Sequence, residues 1–89
     1  MILGQVIGTV VATSKHELLV GSKILVVQAV KPDGTPIEGE QLVAVDTVGA
    51  GTGEHVIVTT GSNASKACET EKAPVDAAII GIIDEIDVN

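Results

Sequence analysis

The apolar positions of this chain gather in short runs in which Val and Ile prevail, which predicts strands rather than helices. Positions 2–13 show it first. One face collects Ile2, Gly4, Val6, Gly8, Val10 and Ala12; the other collects Leu3, Gln5, Ile7, Thr9, Val11 and Thr13. The first set is small and apolar, as the inner wall of a tightly curved sheet must be, and its glycines permit a bend or bulge. The mixed second set predicts a partly covered outer wall. A polar connection, Ser14 to Lys23, then leads to a second strand, Ile24 to Val30, apolar on both faces except at Gln28.

Lys31-Pro-Asp-Gly-Thr-Pro36 predicts a turn, because proline presets φ and Asp-Gly supplies a positive-φ step. Glu38 and Glu40 follow in solvent. Gln41 to Asp46 reads as a third strand and His55 to Gly61 as a fourth. Ser62 to Glu69 is the one good helix candidate. Ser62 or Asn63 can cap it, and Ala64, Ala67 and Cys68 make a small apolar stripe. Two turns of helix hold only when docked on something else. After a linker at Glu71 to Pro74 comes a last strand, Val75 to Ile86, whose centre is Ala77-Ala-Ile-Ile-Gly-Ile-Ile83. Both its faces are apolar, which predicts burial on both sides, and Gly81 marks a bulge. The expectation is an all-β fold: a small five-stranded OB-like β-barrel with one short α-helix between strands 4 and 5. Closing the sheet is the simplest way to protect so many apolar edges.

Composition changes the picture in three ways. First, 89 residues make one small domain, 1–89, which buries only about 60% of the surface its unfolded chain exposes. Cys68 is the only cysteine, so no intrachain disulfide can help, and no Cys/His cluster is spaced to hold a metal. Oligomerisation is the remaining support. Second, there is no aromatic residue, although 45% of the chain is hydrophobic. The core must be aliphatic, and part of the apolar surface is expected at subunit contacts. Third, twelve acids face five lysines and no arginine, a net charge of −7. Such a surface repels nucleic acid and anionic lipid. Single-stranded nucleic acid, the usual ligand of OB barrels, also needs aromatic platforms that are missing here. No apolar run nears the roughly twenty residues of a membrane span. Met1 leads directly into a strand pattern, so no signal peptide is expected.

The segment that stands out is Asp46-Thr-Val-Gly-Ala-Gly-Thr-Gly-Glu54. Glycines at every second position allow φ > 0 and close approach of another backbone. The loop resembles a phosphate loop only superficially. Glu54 stands where a P-loop lysine would help, and Val56 to Thr60 after it is strand-like, where a dinucleotide site needs a helix. Close chain packing is the better reading. His16 and His55 lack partners at ligand spacing, and Cys68 reads as a small buried thiol. Asp84, Glu85 and Asp87 read as a solvated face, and Asp46 and Asp76 as caps of local N–H groups. No catalytic residue, cofactor site or metal site is therefore expected, and the chain is not read as an enzyme.

Taken in order, Asp46 to Glu54, Gly61-Ser-Asn-Ala64, Pro74-Val-Asp-Ala77 and Ile79-Ile-Gly-Ile-Ile-Asp84 resemble the successive motifs of the vertex proteins of bacterial microcompartment shells, of the carboxysome and ethanolamine-utilisation type. The resemblance spans essentially the whole chain. It implies an OB-like barrel that assembles into cyclic homopentamers at the fivefold vertices of a shell in the bacterial cytoplasm. Hexameric shell proteins would be its neighbours. On that reading Gly49, Ala50, Gly51, Thr52, Gly53 and Glu54 lie at the subunit interface near the fivefold axis, with Ser62, Asn63 and Ala64 beside it. Ile79, Ile80, Ile82 and Ile83 form the second surface of a head-to-tail contact. The alternative is a small OB-like module that uses the Gly49–Glu54 loop for an anion or a protein partner.

Overall fold

β1 (Ile2–Thr9), β2 (Ile24–Val30), β3 (Pro36–Asp46), β4 (His55–Thr60) and β5 (Ala77–Ile82) close into a barrel in the order β1-β2-β3-β5-β4. The structure is a computed structural model and describes residues 1–12, 17–19, 21–68 and 75–88. A 3-10 turn, Glu17–Leu19, lies between β1 and β2, and the helix α1 (Ser62–Lys66) lies between β4 and β5. Neighbouring strands are antiparallel except β3 and β5, which run parallel through Val45↔Ala78 and Asp46↔Ile79. A parallel pair needs a long crossover; β4 and α1 supply it. The expected fold class, with the helix between strands 4 and 5, is what the structure shows.

The interior is aliphatic throughout. Val6, Leu25, Val27, Ala44, Ala50, Val56, Val58, Ala77 and Ile79 make up the core. A five-stranded barrel is narrow, so small side chains fill it where aromatic rings would not fit. Gly4 shows how tight the wall is. A Cβ there would collide with Val27 Cγ1 and lie 3.1 Å from the Gln28 carbonyl oxygen, whereas one at Gly8 would meet only Val26 at 3.9 Å.

Curvature comes from three irregularities. In β1 the register against β2 shifts between Val6 and Gly8, so Ile7 is the additional residue. In β5 the pairs Ile57↔Gly81 and Val58↔Ile79 leave Ile80 additional, one residue before the glycine expected to mark the bulge. The third was not foreseen. β3 begins at Pro36, well before the expected Gln41, and between Gln28↔Gln41 and Val30↔Pro36 its residues 37–40 face Ala29 alone. The Gln28 side chain fills this bulge. Its Nε2 is shared among the carbonyls of Ala29 (2.9 Å), Ile37 (2.8 Å) and Glu40 (3.2 Å), while its Oε1 accepts from Gln41 Nε2 at 3.2 Å. The one polar exception in β2 thus satisfies backbone groups that the ladder leaves unpaired.

Other boundaries move for identifiable reasons. β1 stops at Thr9 rather than Thr13, because β2 begins at Ile24 and the Val10 amide, donating to the Ile24 carbonyl at 2.9 Å, makes the last link. β4 ends at Thr60, since Gly61 takes φ 74°. β5 runs from Ala77 to Ile82 rather than Val75 to Ile86, and its last tie is the Ile83 amide on the His55 carbonyl, where β4 begins. The helix ends at Lys66, tightened by the Ala67 amide on the Ala64 carbonyl at 3.2 Å; the expected extension to Glu69 and the linker at 71–74 fall outside the described residues.

Overpacking a tight wall costs about 1–3 kcal/mol. Gly4→Ala is therefore expected to lower the barrel's stability by that order and Gly8→Ala to leave it nearly unchanged. Denaturant unfolding at one fixed protein concentration checks both.

Candidate functional site: the Asp46–Glu54 loop

The loop starts where β3 pairs with β5. The Asp46 amide donates to the Lys23 carbonyl at 2.8 Å, and Thr47 places both its amide (3.2 Å) and its hydroxyl (2.6 Å) on the Ile79 carbonyl. The Asp46 side chain is 3% exposed. Its Oδ1 accepts the amides of Val48 (3.0 Å) and Gly49 (3.1 Å), and its Oδ2 accepts that of Ala50 (2.9 Å). The sequence-based expectation that Asp46 caps local N–H groups holds. Asp76 is seen instead to accept the Gly61 amide through its main-chain carbonyl.

Lys23 completes the arrangement from β2's leading edge. Its Nζ donates to the Ala50 carbonyl and lies 3.9 Å from Asp46 Oδ2. Magnitudes rank these ties. A hydrogen bond to a charged group contributes about 1.5–3 kcal/mol. An ion pair with a half-exposed lysine contributes about 0–1 kcal/mol. The three amides on Asp46 dominate, and Lys23 adds mainly its bond to the Ala50 carbonyl.

The far end of the loop is tied as well. The Gly51 amide donates to Glu54 Oε1 at 2.7 Å, and the Glu54 amide returns to the Gly51 carbonyl at 3.1 Å. The Gly53 amide donates to the Val6 carbonyl (2.8 Å), the Val6 amide to the Glu54 carbonyl (3.0 Å), and Gln5 Nε2 to the Gly53 carbonyl (3.1 Å). From Thr47 to Glu54 every amide except that of Thr52 has an acceptor among the described residues.

The three glycines divide by role. Gly49 and Gly53 adopt φ 83° and 92°, where a side chain is strained. Gly51 does not, which corrects the reading of all three as positive-φ positions. Gly51's space is also open within its own chain, since a Cβ there would meet only Glu54 Oε1 at 3.5 Å.

The expected site residues separate by burial. Gly49, Thr52, Gly53 and Glu54 are exposed and Gly51 is half-buried. The Ala50 side chain is fully buried in the barrel core. In the second segment Ser62 and Asn63 are exposed, while Ala64 is fully buried. The expected outer surface of β5 needs correction. Ile79 belongs to the core and is fully buried, because the Ile79↔Val58 pairing turns it into the barrel. Ile82 packs partly against that core, and only Ile80 and Ile83 remain as half-exposed residues outside it. Lys23 and Gln5 were not singled out from sequence. A lysine at the end of a polar connection and a glutamine on an outer face carry no local signal, and both matter through partners 27 and 48 positions away.

Elsewhere the chemistry is sparse. His55 lines a shallow depression with Asp33, Ile83, Asp84 and Glu85. No cluster of three His, Cys, Asp or Glu side chains fit to hold a metal exists among the described residues. His16 lies outside them. The Asp33 carboxyl is held below the usual carboxylate range, chiefly by the Thr35 hydroxyl at 2.6 Å and then by the Thr35 amide at 2.9 Å. This is turn chemistry. Cys68 is half-buried rather than buried, and its Sγ donates to the Ala64 carbonyl at 3.7 Å. No helix among the described residues is long and apolar enough to cross a membrane.

A loop of this construction on a barrel of this order has known counterparts. The model of the family described as "Ethanolamine utilisation protein EutN/carboxysome" matches residues 1–84. The chain belongs to this EutN/CcmL family. The microcompartment shell vertex protein GrpN of Rhodospirillum rubrum is 49% identical over 87 residues, covering 98% of this chain and 97% of GrpN. The shell vertex protein EutN of Escherichia coli K12 is 44% identical over 86 residues, covering 97% and 90%. The solved structure of GrpN, described as a pentameric microcompartment shell protein, superimposes with a TM-score of 0.90 at 48% identity and covers 100% of both chains. That of Gloeobacter violaceus CcmL gives 0.92 at 44% identity, covering 100% of this chain and 91% of the other.

The loop of this EutN/CcmL chain differs from an anion-binding nest in one respect: its own carboxylates occupy the amides. Inorganic phosphate added to millimolar concentration is accordingly expected to leave the amide NMR shifts of Gly49 to Glu54 unmoved. A saturable shift there would restore the anion reading.

Proposed function

We propose that this protein forms a cyclic homopentamer that caps the fivefold vertices of a bacterial microcompartment shell. Its place is the shell itself, within the bacterial cytoplasm, and its role is structural. The observation that carries this is the match to the solved structure of GrpN, described as a pentameric microcompartment shell protein, over 100% of both chains. A sheet of hexagonal units cannot close into a polyhedron without fivefold defects, and a pentamer supplies them. Hexameric shell proteins are the proposed neighbours.

The Gly49–Glu54 segment is proposed as the part of each subunit that meets the next near the fivefold axis. Ser62 and Asn63 are placed beside it. Three features support this. The loop offers little side chain, so five copies can crowd. Its amides, except that of Thr52, are already hydrogen-bonded to acceptors of the same chain. Its Ala50 side chain is anchored in the core, so the backbone beyond it is held at the surface. A ring needs two different surfaces on each subunit. Ile80 and Ile83 are proposed for the second, without Ile79.

Gly51 separates the interface from the fold. Its own chain leaves room for a Cβ and imposes no positive φ. Gly51→Val is therefore expected to fold as a barrel but lose the ring, so that native mass spectrometry shifts from a species of about 45 kDa, five 9.0 kDa chains, to the single chain. An intact pentamer in the variant would refute the placement of the loop. A wild-type protein that stays monomeric at micromolar concentration would refute the vertex function.

A further inference from the structure

We propose that Asp46, assisted by Lys23, is a positioning residue for ring assembly: it holds the glycine loop in its subunit-binding shape before any neighbour arrives. This rests on the loop's proposed place in the subunit contact. The Asp46 carboxylate gathers three consecutive amides, Val48, Gly49 and Ala50, at 2.9–3.1 Å while only 3% exposed. Lys23 ties down the carbonyl of the third of these residues. Carboxylate and ammonium thus hold opposite poles of the same peptide segment, amide by Asp46 and carbonyl by Lys23.

The arrangement has consequences for recognition. With its amides engaged, the loop has carbonyls left over. The carbonyls of Val48, Gly49 and Thr52 have no acceptor role toward any donor among the described residues, and only the Thr52 amide is left over. Unpaired carbonyls outnumber the one unpaired amide, so the loop suits hydrogen-bond donors of a second copy of this chain rather than an anion. Disordered loops lose conformational freedom on binding, and a loop shaped in advance avoids that loss. Asp46 therefore acts on assembly without touching the neighbour.

Asp46→Asn and Lys23→Met test this, with Lys23→Arg as the conservative variant. In Asp46→Asn the side-chain amide replaces one acceptor, so at least one of the three N–H groups loses its partner. Hydrogen exchange at Val48, Gly49 and Ala50 is expected to speed up at least tenfold, with exchange at Val27 and Val58 unchanged. The concentration at which half the rings dissociate, read by native mass spectrometry or sedimentation, is expected to rise at least tenfold. Should Asp46→Asn fail to fold, Lys23→Met decides: a rise of at least threefold is expected, reversed by Lys23→Arg. Rings of unchanged stability in a folded Asp46→Asn with a loosened loop would overturn the proposal, as would unchanged rings in Lys23→Met where that variant decides. Failure of the wild-type chain to form rings would instead overturn the vertex function, so the two failures are distinct.

Discussion

The barrel closes through two residue pairs between β3 and β5, Val45↔Ala78 and Asp46↔Ile79, and the glycine loop departs from the second of them. Closure and loop are therefore one unit. Asp46 belongs to the seam through its backbone and to the loop through its carboxylate. Thr47 adds two further bonds to the Ile79 carbonyl, on the strand across the seam. A parallel pairing this short cannot hold an open edge by itself. It holds here because the residues just past it stay bonded to the same partner strand.

From that seam the remaining design follows. A five-stranded barrel encloses little space, so Val, Ile, Leu and Ala fill it and no ring is needed. The walls approach so closely that Gly4 has no room for a side chain. Bending so small a sheet takes bulges, and each leaves backbone groups to be satisfied. The widest, at residues 37–40, is met by a side chain, Gln28. Polar residues on this barrel thus repair the ladder where curvature breaks it.

Much of this was legible in the chain. Apolar runs rich in Val and Ile, alternating in the first strand and apolar on both faces in the second and last, identified all five strands, and β2 falls on Ile24–Val30 as read. The helix between strands 4 and 5 was read from Ser62 to Glu69 and forms over Ser62–Lys66 with Ala64 buried, while Ala67 and Cys68 of the expected stripe lie beyond its end. The motif order carried the family. What stayed hidden shares one cause: it depends on residues far apart in sequence. Pro36 to Glu40 reads as turn and solvent because prolines and acids dominate it, yet it extends β3 once Gln28 closes the bulge from the neighbouring strand. Ile79 and Ile80 look equivalent in an unbroken apolar run, and only the register against β4 sends the first into the core. Gly49, Gly51 and Gly53 look equivalent too. Their conformations differ, and their own amides go to different acceptors: Gly49 to Asp46, Gly51 to Glu54 and Gly53 to the Val6 carbonyl of β1. Lys23 was unreadable for the same reason, its partner being set by the closure of the barrel.

The same seam explains how an acidic chain can pack against copies of itself. Like charges oppose association, and each copy carries a net −7. What counts is the charge that must lose water at the contact. The Asp46 carboxylate has already lost it, since it is 3% exposed and accepts three amides of its own chain. Glu54 has one oxygen on the Gly51 amide before a neighbour arrives. On the proposed placement, a contact made by this loop buries glycine backbone with the Val48 and Thr52 side chains, and the exposed Glu54 is the one carboxylate of the loop that still has water to lose. Other exposed acids, among them Asp33, Glu38, Glu40, Asp84 and Glu85, sit on the turn before β3, on β3 itself and after β5. On the proposed placement of the loop, most of the exposed acids lie on other elements than the contact, with Glu54 the exception, which lowers the repulsion that a highly acidic subunit must overcome to assemble with itself.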